Sequence, residues 1–382
     1  MKQVAYALMF LLVIGLTVQG ADAADVQMNG SASVSGSMTA GSFSGDGSGL
    51  TNLNPSNMTA GTAPINISGN ASSSNAVKAG GMTAPPFAFF LNGAIVAPVG
   101  GNYTNPVDAM TDYLSWCPTP SANTPCLLKI MPGVYNIGAA SLQMRQYIDI
   151  EGSGENVTVI KGNIDSATAG VVNGATLAEL RSLTVTHTGG GSNAVAIYNR
   201  NSSPALTNLK VNASGSSNNY GIYNLASGLG QASSIMTKIA VNVSGGAGSF
   251  NYGVYNDGTD AIPGASPTMT SVSILIHGVL FSPPTSTYGV YNNDISSLVM
   301  TNVTASAYDG TNNYGVFNAT AGTVEIRHSV ISGTTNTIRN GSGVTTYVAL
   351  SQLDGGPVSN AGTLRCAGVY DENYLLQVTA CP

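Results

Sequence analysis

Tyr220-Gly-Ile-Tyr-Asn224, Tyr252-Gly-Val-Tyr-Asn256, Tyr288-Gly-Val-Tyr-Asn292 and Tyr314-Gly-Val-Phe-Asn318 are copies of one five-residue phrase. Val195-Ala-Ile-Tyr-Asn199 precedes them, and the degenerate Asn336-Thr-Ile-Arg-Asn340 follows. Their central apolar residues, Ile197, Ile222, Val254, Val290, Val316 and Ile338, lie 25, 32, 36, 26 and 22 positions apart. A motif that holds while its period wanders describes a fixed strand with loops of free length, one coil of a β-solenoid per copy. Gly beside β-branched and aromatic residues is poor helix material. Strict alternation points the central Val or Ile inward and places Gly and the second aromatic residue on the outer face.

A second strand keeps step with the first: Leu180–Val185, Leu206–Val211, Met236–Val241, Met269–Ile274, Met300–Ala305 and Ile326–Ile331. Stacking such coils buries apolar columns, at about 1.5–3 kcal/mol per side chain before entropy is counted. The motif ends in a column of Asn199, Asn224, Asn256, Asn292, Asn318 and Asn340. Asn suits a sharp bend because it tolerates left-handed backbone, and stacked amides can bond to one another as a ladder. On this reading Asn256→Leu costs more stability than Asn251→Leu.

The chain is poor in charge: 8% of its 382 residues are charged, against about 25% in ordinary soluble chains, and Gly alone contributes 47. With 43% hydrophobic residues it still has material for a core. The net charge is −6 with no basic run, so the sequence carries no nucleic-acid footprint. Lys2, the apolar run Ala5 to Val18 and Ala21-Asp22-Ala23 form the pattern of a cleaved export signal over 1–23, which implies a secreted or cell-surface protein. The run is too short to span a bilayer, and no later stretch does so. Cys117, Cys126, Cys366 and Cys381 are an even set in an exported chain. Three pairings are open, and the local one is expected because it staples a loop near each end of the stack. The spacings do not suit zinc, and neither a metal nor another cofactor is expected.

Asn105-Pro106 opens a helix over 106–117, with Val107, Met110, Leu114 and Cys117 on one stripe, placed to cover the first coil. Asp108 and Asp112 fit the helix dipole. Gly100-Gly-Asn-Tyr103, this helix, Ile130-Met-Pro-Gly-Val-Tyr135 and Ile150-Glu-Gly-Ser-Gly154 follow one another as at the start of pectinesterase-like members of the pectin lyase-like superfamily. The resemblance implies an all-β chain, a right-handed parallel β-helix solenoid with an N-terminal capping α-helix. The expected division is 1–23 signal, 24–85 stalk or linker, 86–345 β-helix and 346–382 C-terminal cap. Residues 24–85, with Met38-Thr-Ala-Gly41 and Met58-Thr-Ala-Gly61, resemble stalk repeats of bacterial surface and phage tail-fibre proteins, which implies a homotrimer.

Catalysis is not carried over. An esterase of this superfamily needs two Asp, an Arg and Gln side chains on one outer sheet, and Gln231 is the only Gln between 170 and 340. A lyase would need clustered carboxylates, for which Asp257 and Asp294, near Arg200, are the nearest approach. His187, His277 and His328 fall at unlike strand positions and read as surface or turn residues. Tyr198, Tyr223, Tyr255, Tyr291 and Phe317 are expected to project outward as one exposed column, a candidate platform for polysaccharide or cell-surface glycan. The reading is a non-catalytic surface or fibre-like protein, with a polysaccharide-active enzyme as the alternative.

Overall fold

A computed structural model describes residues 92–245, 248–259, 264–278, 283–377 and Cys381, all within the second of two compact units, Ala71–Pro382. The signal and stalk expectations, 1–23 and 24–85, lie outside the described residues. The described chain is the right-handed parallel β-helix that the resemblance implies. Each coil contributes strands to three faces. The first face begins with Gly93–Val96, Cys126–Ile130 and Ile148–Glu151 and closes with Thr363–Ala367. The second begins with Gly133–Gly138 and Thr158–Gly162. Strands Glu179–His187, Ala205–Ser214 and Ile235–Gly245 run through both and join them into one 19-stranded sheet. The third face is a separate nine-stranded sheet from Leu142–Gln143 to Ser359–Asn360.

The apolar columns are in register. On the third face Ile197, Ile222, Val254, Val290, Val316 and Ile338 pair coil to coil. On the second face Val185, Val211, Val241, Ile274, Ala305 and Ile331 do the same. Both columns belong to one core. The stack is longer than the six motif copies, because Leu142–Gln143 and Val172–Asn173 precede them and Ser359–Asn360 follows. It also passes the expected boundary at 345: Val344–Ala349 pairs in parallel with Gly322–Arg327, and Thr363–Ala367 with Val344–Ala349. Val369–Tyr370 still pairs in parallel with Gln352–Gly355, and Leu376–Gln377, antiparallel to it, leaves the coil pattern.

The sharp bend lies elsewhere than expected. None of the Asn residues that end the motif has positive φ, although Asn201 and Asp294, two residues past Asn199 and Asn292, do; seven other left-handed residues, Ser182, Asn208, Lys238, Ser271, Asn302, His328 and Leu350, lie at φ between 49° and 58°. These seven occupy one position in successive coils, the corner between the first and second faces, so each second strand of the sequence reading turns that corner. A single αL residue turns the chain there at modest steric cost. The Asn side chains point inward instead and are 0–2% exposed.

These side chains form a continuous ladder. Each Nδ2 donates to the next Oδ1, from Asn199 to Asn224, Asn256, Asn292, Asn318 and Asn340, at 2.6–2.8 Å. Asn340 passes the pattern to Asn360 at 3.0 Å. A second inward polar column lies at the other end of the same strands, where Asn219 Nδ2 donates to Asn251 Oδ1 and Thr287 Oγ1 to Asn313 Oδ1. Asn251 is therefore fully buried and is no neutral control for Asn256.

The motif glycine also faces inward, against the alternation. A Cβ on Gly253 would lie 2.5 Å from the Gly289 carbonyl oxygen and run into Ile274 Cγ2. Gly and the following Val are thus consecutive inward residues, and the first tyrosine joins the second on the outer face. Gly253→Ala is expected to cost about 1–3 kcal/mol through overpacking against backbone. A thermal midpoint lowered by several degrees is the measurement, and an unchanged midpoint would show that the column can spread.

The N-terminal end is covered by two short helices rather than one, α1 (Pro106–Thr111) and α2 (Tyr113–Trp116). The Asn105 side chain caps α1 by accepting from Val107 N at 2.9 Å. The break falls at Asp112, whose carboxylate accepts from Tyr103 OH at 2.5 Å and Ser115 Oγ at 2.7 Å. Asp112 is the C-cap of α1 and the N-cap of α2 but makes no side-chain capping bond, and those two bonds engage its carboxylate instead. The break rotates Leu114 into solvent at 57% exposure, while Ala109 and Met110 are buried in the core. The structure pairs Cys117 with Cys126 and Cys366 with Cys381. No helix among the described residues is long and apolar enough to cross a membrane.

Candidate functional site: an aromatic wall on the third face

Because both tyrosines of the motif face outward, the third face carries two aromatic columns. Tyr220, Tyr252, Tyr288 and Tyr314 form one, with ring centroids 4.8, 5.0 and 5.2 Å apart and planes within 12°. Tyr255, Tyr291 and Phe317 continue the other at 5.0 Å and within 7°. The columns meet edge to face: Tyr252 with Tyr255, Tyr288 with Tyr291, and Tyr314 with Phe317, at 82–86°. Such pairs contribute about 0.5–1.5 kcal/mol each beyond area burial. The first column escaped the sequence reading, although its signal was the Tyr at each end of Tyr-Gly-Val-Tyr.

The packing changes what the rings offer. An exposed column with open ring planes was expected, but each plane is occupied by neighbouring rings. Tyr223, Tyr255, Tyr291 and Phe317 are half-buried, as are Tyr220, Tyr252 and Tyr288. Tyr198 is not exposed at all: at 2% exposure it is held between the coil of Asn173 and that of Tyr223. Its hydroxyl has no hydrogen-bond partner in the protein. At the far end Arg339 lies over Phe317 and Tyr314, 5.0 and 5.8 Å from the ring centroids.

The wall is uncharged. Burial pushes the Tyr220 phenol up to about 12 and those of Tyr223, Tyr252 and Tyr255 higher still, with the Asp257 carboxylate adding to the rise at Tyr220, Tyr223 and Tyr255. Tyr223 is turned from the pattern of the later coils. It lies within 19° of parallel to Tyr220 and donates its hydroxyl to Asp257 Oδ2 at 3.4 Å. Asp257 also accepts from Thr259 and from Asn293 Nδ2, and Asp294 accepts from Thr259 and Asn293. Protein donors therefore engage both carboxylates of the lyase alternative. Arg200 is in the register row of Leu225 and Asp257, and Asp294 stands one row beyond. Among the described residues no cluster of His, Cys, Asp and Glu is suited to a metal ion.

The histidines are separate. His187 is buried rather than at the surface; its Nδ1 accepts from Gly189 N, so Nε2 carries the proton and donates to the Ile164 carbonyl at 2.6 Å. Burial holds its pKa below the usual histidine value. His328 is a corner residue, and His277 lies beside Tyr308.

A charged cluster that the sequence reading missed lies on the first face. Lys129 donates to Glu151 at 2.7 Å, and Arg181 bridges Glu151, Glu179 and Asp149 at 2.7, 2.6 and 3.3 Å. These residues are far apart in sequence and meet only through register, Lys129 opposite Glu151 and Glu151 opposite Arg181. Desolvation opposes ionisation of Glu151, but its bonds from Lys129 and Arg181 prevail and keep its pKa below the ordinary value. A carboxyl held ionised in this way is poorly suited to general acid work.

No family model matches the chain, and no curated protein matches it. Among solved structures it is similar to a pectin methylesterase from carrot, at 15% identity over 70% of this chain and 82% of that one, with a TM-score of 0.42. It is similar to a pectin methylesterase from Erwinia chrysanthemi at 12% identity over 74% and 90%, TM-score 0.36. The A-module of a mannuronan C-5 epimerase from Azotobacter vinelandii matches at 13% identity over 72% and 94%, TM-score 0.30.

Proposed function

We propose that this protein is an exported, non-catalytic β-helix that binds glycan along the outer surface of its third face. The aromatic wall carries the reading. Outward positions are free of the core's demands, yet two of them hold rings through four successive coils. With their planes engaged, the rings present edges and phenol hydroxyls, which offer apolar contact and hydrogen bonding to an oxygen-rich ligand. The chain separations are also longest, 32 and 36, between coils that hold the wall. Export is supported by the signal-like segment and the two disulfides.

The test is migration through native gels containing immobilised polysaccharides. Tyr255→Ala with Tyr291→Ala is expected to abolish retardation, and Tyr255→Phe with Tyr291→Phe, which keeps the packing, to weaken it. Retardation unchanged in both pairs would leave the wall a purely structural device. The competing reading is a polysaccharide-active enzyme working at the Lys129, Asp149, Glu151, Glu179 and Arg181 cluster. Release of methanol or of unsaturated uronate from pectin, lost in Arg181→Ala, would establish it instead.

A further inference from the structure

We infer that the ligand of the aromatic wall is an extended, uncharged glycan lying parallel to the solenoid axis with one sugar unit per coil, an inference that rests on the glycan reading above. Direction comes from the repetition. A chain crossing the face from edge to edge would meet the two rings of one coil and then the turns, and identical rings in the coils above and below would do nothing for it. A chain running along the axis meets equivalent positions at each step. Centroid spacings of 4.8–5.2 Å in one column and 5.0 Å in the other set that step, which equals the strand spacing of about 4.8 Å that stacking imposes. A β-linked hexose unit in an extended chain is about as long as one such step. An α-linked chain that coils would leave the row within a few units.

Length and charge follow from the boundaries. The paired rings are Tyr220 with Tyr223, Tyr252 with Tyr255, Tyr288 with Tyr291, and Tyr314 with Phe317, one pair in each of four coils. Before them Tyr198 is buried and the other column holds Val195; in the fourth coil Tyr314 is buried at 6% exposure, so Phe317 is the ring that reaches the surface there, and Arg339 closes over both. The eight ring positions include no charged side chain. The charges at the ends are already engaged, Arg339 with the rings and with Tyr314 OH, and Asp257 with Tyr223, Thr259 and Asn293. A polyanion would meet no free cation along the paired rings themselves; the exposed Arg200 stands in the coil of Tyr198, before the first pair.

Calorimetric titration of the full chain with β-1,4-linked gluco-oligosaccharides of one to six units tests this. Affinity is expected to rise with each unit up to four, by about a hundredfold in total, and then to level off. In Tyr314→Ala with Phe317→Ala the levelling is expected at three. Equal affinity for monomer and hexamer, or binding only of a polyuronate with strong salt dependence, would overturn the axial arrangement while leaving glycan binding intact. Failure to bind any of the six, with retardation on some other polysaccharide gel, would do the same. Absence of retardation on every gel would remove the glycan reading itself.

Discussion

Asn256→Leu is expected to destabilise the β-helix by about 2–6 kcal/mol. The replacement is close in volume, so the loss comes from the ladder and not from a cavity. Asn256 accepts from Asn224 Nδ2 at 2.8 Å and donates to Asn292 Oδ1 at 2.7 Å. Leu would leave that donor and that acceptor buried without partners, and each such group costs about 1–3 kcal/mol. Asn242→Leu is the comparison. Asn242 is half-exposed on the outer side of the second face, and its Nδ2 makes a 3.4 Å bond to Asn212, so a change of under about 1 kcal/mol is expected there. Urea midpoints measured on both variants decide the matter. Equal shifts would mean that the ladder follows the coil geometry without holding it.

Alkaline solution is expected to unfold the protein in a single step coupled to ionisation of the wall. In an unfolded chain the phenols titrate near pH 10. In the folded chain burial raises Tyr220 to about 12, and raises Tyr223, Tyr252 and Tyr255 further. A raised folded-state pKa gives stability that is fully present below pH 10 and is lost as pH climbs toward the folded values, because the unfolded state alone releases protons in that window. The thermal midpoint should therefore hold steady up to about pH 10 and fall steeply above it. Tyrosinate absorbance should rise with the loss of near-ultraviolet circular dichroism. Because the chain has 17 tyrosines, the wall's share is the difference from Tyr252→Phe with Tyr255→Phe; wall phenols titrating near pH 10 while the fold persists would show that water reaches them freely.

How far the fold and candidate site were legible varied with the kind of interaction. The inward apolar columns and the Asn column could be read because every copy needs the same residue type at the same place. The first tyrosine column was equally repetitive, yet it was assigned to no face, because strict alternation cannot anticipate two consecutive inward residues at Gly-Val. The corner residues were hidden for the opposite reason: Ser182, Asn208, Lys238, Ser271, Asn302, His328 and Leu350 share a backbone conformation and no side-chain chemistry. The helix break depended on Tyr103 reaching Asp112 from outside the helical window.

The sequence by itself left three cysteine pairings open, and determined the repeat, the inward Val and Ile columns and the column of Asn that closes each copy. Each of these depends on residue identity at a fixed place in a short phrase. Only the tertiary structure decided that the aromatic rings form two interlocked columns with their planes engaged, that Tyr198 and His187 are buried, and that Lys129, Asp149, Glu151, Glu179 and Arg181 meet. The reason is that lateral register between coils is set by summed packing over whole strands, and loops of unequal length erase from the linear order which residues become neighbours across it.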